Sequence, residues 1–140
     1  VECQMQSKLI AEYRFDECEF EYGKAKDNLG KYDADVESTV DIDLNGKINN
    51  AAKFSGGDVT VSNLSLDLEA NKKTTVSMWI KGSDTDGMPI AWSGGGDLWI
   101  YNGKIGFNTR NDGQYGVASS ISDDEWHHIV AIFNNGDIEK

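Results

Sequence analysis

The stretch from Leu98 to Asn108 constrains the fold more than any other part of the chain. Leu98-Trp99-Ile100-Tyr101 alternates between two faces, Asn102-Gly103 intervenes, and Lys104-Ile105-Gly106-Phe107-Asn108 alternates again. Two period-two runs joined by Asn-Gly are the signature of a β-hairpin, because both central residues of the tight turn need positive φ. A helix cannot use this pattern, since a period of two spreads its apolar residues around the cylinder.

Similar runs recur along the chain. Leu9 to Phe15 places Leu9, Ala11, Tyr13 and Phe15 on one face and predicts a half-buried strand. Tyr32 to Glu37 reads as an exposed, acidic, edge-like strand. Asn45-Gly46 predicts a hairpin leading into Ala51–Phe54, and Gly56-Gly57-Asp58 turns into Val59-Thr60-Val61. Leu64 to Leu68 reads equally well as a strand or a helical turn. Thr74 to Lys81 is the best central strand, with Val76, Met78 and Ile80 sharing a face. After the Asp86-Gly87 turn, Pro89 to Ser93 reads as a strand, Asn111 to Gly116 as a polar loop, and Ile129 to Phe133 as the last strand. Roughly nine or ten short strands at a spacing of about 8–12 residues, with no helix, predict an antiparallel sandwich or barrel.

Composition agrees. Fifteen glycines and one proline suit a turn-rich all-β chain, and 39% hydrophobic content supports a modest core. A length of 140 residues fits one domain, 1–140. The formal charge of −11 repels phosphate backbones and anionic bilayers, so nucleic acid is not an expected partner. No run approaches the ~18 apolar residues of a membrane span, so no membrane insertion is expected. Val1-Glu2-Cys3-Gln4 is already polar, and no leader is read there. Cys3 and Cys18 are expected to form a disulfide, since an even count suits a secreted chain. Closing a loop of about 15 residues would stabilise by ~3 kcal/mol. Two unpaired thiols are the alternative.

Several clusters invite chemistry. Asp41-Ile42-Asp43-Leu44-Asn45-Gly46 matches the first half of a calcium loop, but its twelfth position is Ala52 where a bidentate Glu is needed. A solvated hairpin is the better reading. Asp58 and Asp97 sit in glycine-rich turns where a carboxylate and backbone carbonyls can surround Ca²⁺. His127 and His128 are adjacent, so a strand sends them to opposite faces and they cannot share a metal. Asp33-x-Asp35-x-Glu37 has the parity of a glycosidase carboxylate row but lacks aromatic packing. Trp79, Trp99 and Tyr101 lie opposite their aliphatic neighbours. They are either flat surfaces for a ligand such as a sugar ring or a second layer of packing.

Four stretches, in order, resemble the laminin-G-like or concanavalin-A-like jelly-roll superfamily in its bacterial, pentraxin-related branch. Tyr13-Arg14-Phe15-Asp16-Glu17 is similar to its opening W-x-F-D-E strand, and Lys26 to Tyr32 to its D-x-S-G-N-G turn. Asn50 to Val61 followed by Thr75 to Lys81 is similar to A-x-x-F-x-G-x-D-x-V … S-x-x-W-V-K. Trp126-His127-His128-Ile129-Val130-Ala131 is similar to W-H-H-V-A. The opening Leu9 to Cys18 also resembles lectin-like domains of bacterial surface and pilus-associated proteins.

The resemblance implies a two-sheet antiparallel jelly roll, secreted or on the cell surface. Its implied function is a non-catalytic adhesion module that binds a glycan or a surface protein. Many members hold Ca²⁺ at one rim, and by position Asp97 resembles the first metal-ligand segment of the pentraxin-like members. A module or degenerate relative of a sandwich glycoside hydrolase is one alternative, and a structural spacer in a surface or pilus assembly another. Members continue beyond the W-H-H-V-A strand, so the expectation is a sandwich incomplete at its C-terminus and completed by further sequence or a second chain.

Overall fold

The structure is a computed structural model that describes residues 8–16, 20, 23–65, 72–92, 97–109, 113–115 and 119–134. Cys3 and Cys18 lie outside the described residues, as do Leu66, Asp67 and Leu68 of the ambiguous segment and Val117-Ala118. Eleven strands and no α-helix occur among the described residues. The chain divides into two compact units, Val1–Leu64 and Ser65–Lys140.

The first unit holds two small antiparallel sheets. β1 (Lys24–Ala25), β2 (Ala34–Val36) and β5 (Val59–Val61) form one in the order β1-β2-β5. The acidic segment around β2 is therefore central rather than an edge. Its carboxylates mark an exposed face, not a free edge: Asp33, Asp35 and Glu37 point to solvent while Ala34 between them is buried. β3 (Val40–Asp43) pairs with β4 (Ala51–Phe54), as the Asn45-Gly46 signal anticipates. The connection is a longer loop, Leu44 to Asn50. In it Asp43 Oδ1 accepts the Asn45 N–H at 2.9 Å, the Gly46 N–H reaches the Asn49 carbonyl at 3.0 Å, and Asn49 takes φ +54°.

Leu9 to Phe15 joins no ladder, contrary to its alternation. The Glu12 N–H donates to the Asp27 carboxylate and the Glu12 carbonyl accepts from Asn28 N–H, so the segment is tied to a turn instead of a strand. Phe15 takes φ +57°, outside the strand region altogether.

The second unit is a two-layer sandwich. One layer is β6 (Lys73–Ile80) with β11 (His127–Asn134), in an unbroken eight-residue antiparallel register from Ile80↔His127 to Lys73↔Asn134. The other runs β10 (Gly113–Tyr115), β9 (Lys104–Thr109), β8 (Asp97–Tyr101), β7 (Gly87–Ile90). Pro89 sits in edge strand β7 at a register shift, where a missing N–H is tolerated. β7 begins earlier than its sequence pattern suggests, and β10 arises inside the expected polar loop by pairing Gln114 with Asn108.

Alternation builds the core directly. Val76, Met78, Ile129, Ala131 and Phe133 of the first layer meet Leu98, Ile105 and Phe107 of the second, with Ile90 and Trp92 beside them. Phe133 is 2% exposed and takes edge contacts from Trp92 and Phe107 at ring separations of 5.0 and 5.2 Å, the geometry aromatic quadrupoles prefer. Asn102 (φ +48°) and Gly103 (φ +74°) make the two-residue β8–β9 turn that the dipeptide predicts.

Candidate recognition faces and loops

Core packing on the inner sides of the sandwich leaves each layer an outer face. On the β6–β11 layer, register places Trp79 opposite His128, Ser77 opposite Val130, and Thr75 opposite Ile132, all facing away from the core. Trp79 is 42% exposed and Val130 and Ile132 are each 54% exposed. The His128 ring lies 5.0 Å from the indole, tilted by 34°. Its Nε2 is 2.8 Å from Ser77 Oγ, so a hydrogen bond fixes the imidazole beside the tryptophan.

Trp99 and Tyr101 occupy the outer face of the other layer. The three aromatics singled out by sequence therefore do not form one platform: Trp79 stands on one side of the sandwich, Trp99 and Tyr101 on the other. Tyr101 is 45% exposed beside Lys104. Trp99 is half-buried opposite Gly106, and its Nε1 is buried with no hydrogen-bond partner among the described residues.

His127 and His128 part company as expected. His127 Nε2 pairs with Asp123 Oδ1 at 2.8 Å, across the turn that starts β11. Asp123 also caps the Glu125 N–H at 3.0 Å. The His127 bond first, and the Glu125 N–H second, hold the Asp123 carboxyl below its ordinary range. Asp124, at φ +62°, donates its N–H to the Gly82 carbonyl at 2.9 Å and fastens this turn to the end of β6.

The acidic clusters are absorbed by local structure. Asp33 Oδ1 accepts the Asp27 N–H at 3.0 Å, Asp35 pairs with Lys24, and Glu37 Oε2 accepts the Asp58 N–H at 3.1 Å. Each member of the Asp33-x-Asp35-x-Glu37 row thus has its own task. Asp58 is exposed, and its carbonyl accepts the Glu37 N–H in return. Asp97 Oδ1 accepts the Trp92 N–H at 3.3 Å. Among the described residues no three His, Cys, Asp or Glu side chains gather to hold a metal ion.

Sequence reasoning misses Asp27, which organises the loop of the first unit. It is 3% exposed, and its carboxylate accepts four backbone N–H groups: Glu12 (2.9 Å) and Leu29 (3.1 Å) on Oδ1, Lys31 (3.1 Å) and Tyr32 (3.0 Å) on Oδ2. Burial alone would raise its pKa, but the four N–H donors outweigh it and the net shift is downward. Tyr13 donates its hydroxyl to the Tyr32 carbonyl, and burial, then Asp27 and Asp33, push its pKa up to about 12. The Asp-x-x-Gly spacing of a turn is visible in the chain; its reach back to Glu12 is not. The Ser77–His128 pair is a second omission, because it depends on the β6–β11 register.

Among the described residues no helix is long and apolar enough to cross a membrane. No curated protein and no solved structure matches the chain. A family model of laminin G type, described as concanavalin A-like lectin/glucanases superfamily, matches residues 53–139, which covers β5, the whole described sandwich and the Trp126-His127-His128 strand. With more than half of its length matched in this way, the chain belongs to the laminin-G-like family of the concanavalin A-like lectin/glucanase superfamily.

Proposed function

We propose that the chain is a non-catalytic extracellular recognition module, an adhesion domain of a bacterial surface protein that binds glycan or protein surfaces. In this reading residues 1–140 act as one laminin-G-like domain. Family membership supports a binding module in general. The observation that carries the reading to this chain is the β6–β11 outer face, where an exposed tryptophan is held by a neighbouring ring instead of being packed away. Large amphipathic rings fixed before contact lose little entropy on binding, which is why recognition surfaces use them. Calcium belongs to the reading at the Asp58 and Asp97 turns, as a bridge that backbone carbonyls would have to complete. The Cys3–Cys18 disulfide, suited to an extracellular setting, belongs to it as well.

An array of immobilised glycans and extracellular proteins tests it. The chain is expected to be retained by a defined ligand, with Trp79→Ala or Tyr101→Ala weakening retention. A chain retained by nothing, or variants of both faces behaving as the parent, would overturn the reading. Release of reducing sugar from a retained glycan would instead support the glycosidase alternative.

A further inference from the structure

We infer that the β6–β11 outer face takes an uncharged saccharide chain, stacked on Trp79 and bonded by the Ser77–His128 pair. This rests on the recognition reading above and narrows it to one face and one ligand class.

A pyranose ring presents C–H groups on a face and hydroxyls around its rim. It therefore asks for an aromatic plate beside neutral hydrogen-bonding groups. Trp79 supplies the plate at 42% exposure, and Ser77, Thr75 and His128 supply hydrogen-bonding atoms around it. His128 spends Nε2 on Ser77, and among the described residues Nδ1 has no protein partner. Val130 and Ile132 extend the apolar ground along β11. From Trp79 to Thr75 the strand covers ~13 Å, room for more than one sugar ring.

Charge points the same way. None of these six residues is a carboxylate. The cations in line with them on the β6 side, among the described residues, are Lys73 at the far end and Lys81 just past Ile80. Among the described residues of the second unit no guanidinium stands there to grip a sulfate or uronate in the two-pronged way such groups are held. The chain as a whole carries −11, which repels an approaching polyanion within a screening length of ~8 Å at physiological salt. A neutral chain meets no such barrier. The opposite outer face suits stacking less, because Trp99 is half-buried with its Nε1 enclosed.

Titration calorimetry of the full chain tests the assignment. Neutral probes are cellohexaose, mannohexaose and galactohexaose; anionic probes are hexagalacturonic acid and a heparin hexasaccharide. At least one neutral probe is expected to bind, and every anionic probe to bind about tenfold more weakly or less. Trp79→Ala should weaken the neutral probe about tenfold or more, Trp79→Phe by no more than about threefold, and Ser77→Ala by about threefold. Ile48→Ala, at an exposed site of the first unit, should leave it unchanged. Far-UV circular dichroism checks that each variant is folded, and Trp79→Phe keeps a plate in place if Trp79→Ala is not. An anionic probe bound as tightly as the best neutral one overturns the inference. So does neutral binding that survives Trp79→Ala and is lost in Tyr101→Ala. If no saccharide binds but the array retains a protein, the inference falls and the recognition reading stands; if nothing is retained by either method, both fall.

Discussion

Asp27 shows how one side chain can set the shape of a loop. A buried carboxylate with four N–H donors leaves no lone-pair direction idle, and its ionised form is the one the loop requires. Asp27→Asn presents an NH₂ to two of those donors and should destabilise by about 2–4 kcal/mol in urea unfolding at pH 7. The folded pKa lies below the ordinary carboxylate value of about 3.9. The contribution is therefore fully present above that value and is lost as pH falls from about 4 through the folded pKa. Unfolding followed from pH 6 to pH 2 should show a loss at the acid end that is smaller in Asp27→Asn. A pair of glycines gives a second residue-scale test. A Cβ on Gly57 (φ +85°) would run into Thr39 Oγ1 and sit 2.9 Å from Glu37 Oε2, whereas at Gly30 (φ +74°) nothing lies within 4 Å. Gly30→Ala should cost about 1 kcal/mol for its backbone alone. Gly57→Ala should cost clearly more by thermal melting, since the Glu37–Asp58 clasp must also move.

At the scale of elements, β11 carries two surfaces on one strand. Phe133→Ala removes a ring from between Trp92 and Phe107 and should destabilise by about 3–5 kcal/mol in denaturant unfolding. Ile132→Thr, one residue away but facing solvent, should stay within about 0.5 kcal/mol. Equal costs would mean that the strand's outer face is covered. Elements whose alternation also fixes a core face were legible in the sequence. β6, β8, β9 and β11 all appear where Val76, Leu98, Phe107 and Ala131 place them. Leu9 to Phe15 misleads because alternation describes side chains, while a strand needs a neighbour for its backbone, and here Asp27 takes that part. β10 was invisible because Gly113-Gln114-Tyr115 has no apolar pattern and is a strand only through β9. The aromatic trio splits for a related reason: parity says that a side chain leaves the core, and only layer membership says to which side it goes.

Across the whole molecule, charge repulsion is the force with the longest reach. Twenty-four acidic residues against thirteen basic ones repel one another in the compact state, so added NaCl should raise the Tm through the range in which screening takes effect. CaCl₂ at matched ionic strength separates screening from a specific site. An equal Tm in the two salts removes calcium from the proposed function, while a further rise that chelator reverses supports it. The long β6–β11 register has another consequence, for how such a chain is made. Hairpin β8–β9 can close as soon as Phe107 has been synthesised, but Ile80 waits for His127 and Lys73 waits for Asn134. Until then Val76 and Met78 have none of the described strands beside them, and a ribosome carrying this nascent chain holds a half-built sandwich with its apolar side open. Holdase chaperones therefore have their window on β6 between its own emergence and that of β11.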